Sequence, residues 1–201
     1  MMQVAAQIEK IPEDEDYELV IRAAELCNPF LDSLGEVTLM PRGPLPAAIL
    51  NWSHAIFRPH LQPLLLKVLV SASEGGSFEI STLDCALEAA LPISLRLASR
   101  DAGKRLVQGL LAPRGDRLLE RYRVAVLAGD SPGHLAVIHA LRAAVFHLPP
   151  RVMIASYLVQ EGRGAGLNDR EIARALIGAL VALHALTPTS SQLTEMGDLH
   201  P

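Results

Sequence analysis

Residues 47–72 read AAILNWSHAIFRPHLQPLLLKVLVSA. Their apolar positions, among them Ile49, Leu50, Ile56, Phe57, Leu61, Leu64, Leu65, Val68 and Leu69, recur at helical spacing and do not alternate. A run of this length and period builds helix. Pro59 and Pro63 each remove a backbone donor and crowd the preceding turn, so two helical pieces meeting at a kink are expected, closed by Glu74-Gly75-Gly76-Ser77. The whole chain agrees in composition: aromatic residues are only 4%, Ala, Leu and Arg dominate, and β-branched or aromatic runs are scarce. The expected fold class is therefore all-α, a single-domain helical bundle.

Working outward, Pro12 and the acids at 13–16 open a helix over residues 12–27, which Asn28-Pro29 stops. Proline density through Pro41, Pro44 and Pro46 predicts a loop. Downstream, Ser81 reads as an N-cap before Leu83, Ala86, Leu87 and Ala90, and Pro92 breaks that helix from the segment Ile93–Leu111. A turn at 113–116 leads to a helix over 117–127. Ser131-Pro132 reads as N-cap and first helical position for 133–148. Pro149-Pro150 opens a helix over 151–160, and Asn168 with Glu171 has capping-box spacing at the head of 169–186. The N-terminal segment 1–12 and the tail 187–201 are expected to be mobile.

Composition bounds the function classes. At 201 residues, 50% hydrophobic and 20% charged, with mean hydropathy +0.26, the chain is too apolar for disorder and of a size for one domain. A net charge of −4 and a pI near 6.0 give no general field for nucleic acid or an anionic membrane. Cys27 and Cys85, far apart, suit two small core hydrophobes in a reducing compartment. The first residues lack the basic start and apolar stretch of a secretory leader, and apolar runs such as Leu64–Leu66 are far too short to cross a bilayer. A cytoplasmic, soluble protein is expected.

Chemistry-bearing constellations are few. The nearest histidine pairs, His134/His139 and His54/His60, are not at i, i+4, and no HExxH or ExxH occurs, so no metal or other cofactor is expected. No GxSxG frames a nucleophile; Ser99 reads as a helical residue and Ser131 as a cap. Glu88 is singled out as the one acid within an otherwise apolar helical stretch, bound for a solvated face or an arginine partner. Gly162–Asn168 is glycine-rich, yet follows no strand and lacks a GK[ST] ending, so it reads as a flexible inter-helix loop.

The sharpest feature is cationic. Eight of the 18 basic residues fall between Arg96 and Arg123, and Arg96, Arg100 and Lys104 share one helical face at i, i+4, i+8. Asp101, Asp116 and Glu120 could offset them on a solvated face; alternatively they form a docking patch for an acidic partner or for phosphate.

Leu95–Leu106, LRLASRDAGKRL, resembles the L-R-x-A-S-R-x-x-G-[KR]-x-L run of the UreF family of urease accessory proteins. Gly133-His134-Leu135-Ala136-Val137, Ala143-Ala144, Leu148-Pro149 and Ala155-Ser156-Tyr157-Leu158 look like the family's G-H-x-A-V…AA…LP…A-Y-L pair, and Leu61–Leu65 is similar to its D-L-P-L-L segment. The family's N-terminal P-x-G-x-[FY] run and its C-terminal S-M-R-H-E tail have no clear counterpart. The resemblance implies an all-helical, non-enzymatic scaffold that binds a second accessory protein and a nickel-carrying GTPase, serves apo-urease, and forms a homodimer. It directs attention to Arg96, Arg100, Lys104, Arg105 and His134 as partner-binding residues and to Gly103 as a point of close helix packing. A helical nucleic-acid or phosphate-ligand module using the Arg96–Arg123 patch is the alternative.

Overall fold

The computed structural model describes residues 39–41, 46–109, 117–168 and 171–172. The expected helix over 12–27, the turn at 113–116 and the tail lie outside these residues. Seven α-helices follow in order among the described residues: α1 Pro46–Trp52, α2 Gln62–Ser73, α3 Ser77–Ala90, α4 Ile93–Gly109, α5 Arg117–Ala128, α6 Leu135–Val145 and α7 Pro150–Gly164, with a π-helical segment, Ser53–Leu61, joining α1 to α2. The described residues contain no strand, and the all-α fold class stands.

The prolines of the opening stretch are absorbed differently from expectation. The chain stays helical through Pro59 by widening to the π register, and Gln62 N–H reaches back to Phe57 O, five residues away. Pro63 falls in the first turn of α2, where a missing donor costs little. Side-chain packing rewards the wider winding. In an α-helix, residues five apart would diverge by about 140°, whereas Trp52 and Phe57 stack here at a centroid distance of 5.6 Å. Phe57 stacks in turn on Tyr157 of α7 at 6.4 Å, and His139 of α6 meets Tyr157 edge-on at 5.4 Å. The scarce aromatic side chains thus tie three elements together.

α6 is the central helix, packed against α2, α4 and α7 with further contacts to α3 and α5. Its sequence explains this: LAVIHALRAAV is apolar nearly all round, and Leu135–Ala143 are buried without interruption. The outer helices each offer one stripe, Leu64, Leu65, Val68 and Leu69 from α2, Ile80 and Leu87 from α3, and Leu119 and Val126 from α5.

Several local expectations are corrected. α3 starts at Ser77 with Gly76 as N-cap, so Ser81 lies inside the helix. Leu91 adopts an extended backbone before Pro92, as the residue preceding proline prefers, and this separates α3 from α4. α7 continues through Gly164, so Gly162 is no loop residue; a Cβ there would come within 2.6 Å of Ile172 Cγ1. Cys85 is exposed on α3 and is not a core residue. Asn168 and Glu171 do form the reciprocal capping pair, with Asn168 N–H donating to Glu171 Oε2 at 2.8 Å and Glu171 N–H to Asn168 Oδ1 at 3.0 Å.

Candidate partner-binding site

Of the residues singled out in the sequence, Gly103 and His134 meet at the loop 129–134 that leads into α6, and Arg96 and Arg100 are joined to it through Glu88. A helix N-terminus leaves backbone N–H groups without intrahelical acceptors, and a buried one needs them supplied. Here they come from other helices. Asp84 of α3, fully buried, accepts Gly133 N–H at 2.7 Å and His134 N–H at 3.1 Å, while Ser99 Oγ of α4 accepts Leu135 N–H at 3.3 Å. Asp84 Oδ2 also accepts the hydroxyls of Tyr122 and Ser131, each at 2.7 Å. Ser131 is therefore a donor to Asp84 and not the N-cap of α6, whose cap residue is His134. Burial and the adjacent Asp84 carboxylate push the Tyr122 phenol well above its ordinary value, which keeps it a donor.

Asp84 is the residue that sequence reasoning missed. Ile80, Asp84, Leu87 and Leu91 are all buried at i, i+4, i+7, i+11 along α3, so an acid occupies the middle of the apolar stripe. That position was the available signal. Glu88 is not the only acid in that stretch.

Glu88, one turn on, faces two ways. Its Oε1 lies 3.2 Å from Arg100 Nη1 and 3.9 Å from Arg96 Nε, and its Oε2 lies 2.9 Å from His134 Nε2. Arg96 also donates through Nη2 to Leu91 O at 3.0 Å, closing the α3–α4 corner. Both guanidiniums are partly exposed, at 30% and 36%, so they are oriented by Glu88 yet still reach solvent. Arg105 is exposed and pairs with Asp101 one turn before it, and Lys104 is half-buried with no ion pair among the described residues. His134 differs from these four: its side chain is entirely buried, so it supports the cationic face from behind and presents no surface to a partner.

Gly103 explains how α4 comes so close. A Cβ at that position would lie 1.9 Å from Gly133 O, and Gly133 itself has φ +79 with Val126 Cγ1 2.5 Å from where its Cβ would be. The two glycines let a helix and a loop touch backbone to backbone.

Along α4, exposed Ile93 and Leu97 continue the same surface toward the N-terminus of the helix, and Val124 and Leu127 are exposed on α5. A second, apolar feature is a shallow groove of about 570 Å³ between α2 and α3, lined by Leu66, Val70, Phe78 and Leu83. Among the described residues no three His, Cys, Asp or Glu side chains are grouped to hold a metal ion, and no helix is long and apolar enough to cross a membrane. Asp84 and Glu88 are engaged by hydrogen bonds and ion pairs within the fold, His134 is buried behind them, and the arrangement offers a cationic face over a polar base.

A family model described as UreF matches residues 59–164, just over half of the chain, spanning the π-helical segment to the end of α7. No curated protein and no solved structure matches.

Proposed function

The chain belongs to the UreF family of urease accessory proteins, and from that premise we propose that it acts as a non-enzymatic scaffold whose α4 face docks its partners. The family membership carries an accessory role in urease maturation and interaction with other accessory proteins. In the fuller reading, the chain works in the cytoplasm as a homodimer, engages a second accessory protein and a nickel-delivering GTPase, and helps pass nickel, as cargo, to apo-urease.

The observation that carries the docking face is the row Arg96, Arg100 and Lys104 on α4 with Arg105 beside it, Glu88 orienting the first two arginines and Asp101 pairing with Arg105. Arginine suits an interface because its planar fork forms bidentate bonds to carboxylates. Lys104 has no internal acid to satisfy it among the described residues, which leaves its charge for a partner. Exposed Ile93 and Leu97 supply apolar area beside the charges.

The test is co-purification with the other urease accessory proteins. Lys104→Glu/Arg105→Glu leaves the Glu88 pairs intact, so its helicity and melting temperature should stay close to the parent's while capture of the second accessory protein falls at least tenfold. Equal capture by parent and variant would remove this face from the mechanism. Should the parent instead bind nucleic acid with steep salt dependence and no accessory protein, the phosphate-ligand alternative replaces this reading.

A further inference from the structure

We infer that His134, Glu88 and Arg100 form an acid-sensitive latch that fastens the 129–134 loop to α3 and α4. The geometry has three parts. His134 is fully buried, its Nε2 is 2.9 Å from Glu88 Oε2 without the geometry of a hydrogen bond, and its Nδ1 is likewise buried with no hydrogen-bond partner. A neutral imidazole places its single N–H at Nε2, the nitrogen beside the carboxylate, and leaves Nδ1 unprotonated. Taking up one proton makes Nδ1 a donor, and the site supplies no acceptor for it.

The groups facing the ring come from every neighbouring helix. From α3, Asp84 and Glu88 favour the imidazolium; from α4, Arg100 opposes it, and Arg96 shares Glu88 Oε1; from α5, Tyr122 is a neutral phenol held on Asp84. Burial is the largest influence and holds His134 below the ordinary histidine value. A group depressed in the closed state favours closure fully above its free value, and that contribution shrinks as pH falls toward the closed-state value. Opening the loop returns the ring to water at about pKa 6.5. Acidification below that point therefore favours opening.

The latch is distinct from the scaffold reading, because no partner is needed to observe it. Amide hydrogen exchange on the full chain between pH 7.5 and 5, corrected for intrinsic exchange, reads the three amides that the latch closes, Gly133, His134 and Leu135. Referred to the amides of Ile154–Leu158 in α7, their protection should fall as pH drops below 6.5, by at most about tenfold per pH unit, the limiting slope for one proton. In His134→Gln the slope should vanish. As a second readout, Arg100→Gln removes the opposing cation and should raise the His134 midpoint in a nuclear magnetic resonance titration of the ring. Loop protection that stays constant to pH 5 in the parent, a parent slope that survives in His134→Gln, or a ring midpoint unmoved by Arg100→Gln would each overturn the latch.

Discussion

Asp84 shows how much a single buried carboxylate can organise when its donors come from elsewhere in the chain. It collects two hydroxyls and two backbone N–H groups around the start of α6. Removing one partner of a buried network leaves the others unsatisfied, at about 1–3 kcal/mol for each stranded group. Asp84→Ala should therefore destabilise by 3 kcal/mol or more on the scale of that principle, measured by urea denaturation. Asp84→Asn, which keeps one acceptor and adds a misplaced donor, should fall between it and the parent. Gly103 makes the opposite point about legibility. Its position in the LRLASRDAGKRL run signals close packing because a glycine inside a helix is unfavourable by about 1 kcal/mol relative to alanine without a compensating contact. Here Gly133 O occupies the space a side chain would need, so Gly103→Ala should lower the melting temperature although alanine is the better helix former. The glycine is readable from local sequence. Asp84 is harder to read, because its partners lie 38 to 50 residues away and only its place in an apolar stripe hints at them.

At the scale of elements, helical period places the described helices, and capping signals hold where they are local. Pro150 opens α7, and Asn168 with Glu171 closes a capping box, since both depend on residues within one turn. The failures share a cause. Ser131 looks like an N-cap because Ser-Pro usually is one, yet α6 is capped across space by Asp84 and Ser99. The π-helical segment escapes a reading by 3.6-residue period, because the wider register is chosen by the Trp52–Phe57–Tyr157 stack and by Pro59 together. This account makes Phe57 the pivot: it is fully buried and stacks on both sides. Phe57→Ala should cost about 3–5 kcal/mol, as for other buried phenylalanines. A loss below about 1 kcal/mol in chemical denaturation would mean that the register is set by the proline alone.

For the molecule as a whole, acid stability should be set by a buried histidine on the central helix. His139 is 5% exposed, with Nε2 2.9 Å from Ser156 Oγ and 3.1 Å from Met153 O, so helix α6 meets α7 through an uncharged ring. Burial lowers it to about 4, helped by the nearby Arg142 charge and opposed by the Met153 carbonyl. In the unfolded chain the ring titrates near 6.5, so above that pH both states are neutral and stability is insensitive to this group. Between 6.5 and about 4 the unfolded chain binds the proton and the folded chain does not, so stability falls with acid and levels off below the folded value. A depression of that size corresponds to roughly 3 kcal/mol over the window. Other groups also take up protons as pH falls, so the comparison must be with a variant that lacks only this ring. His139→Gln keeps a polar group of similar reach toward Met153 O and Ser156 Oγ. It should be less stable than the parent at pH 7.5 and should lose less stability between pH 6.5 and 4.5 in parallel urea titrations. If parent and variant lose equal stability across that window, the acid sensitivity of the bundle arises from other groups, the buried His134 and the carboxylates among them, and not from the α6–α7 contact.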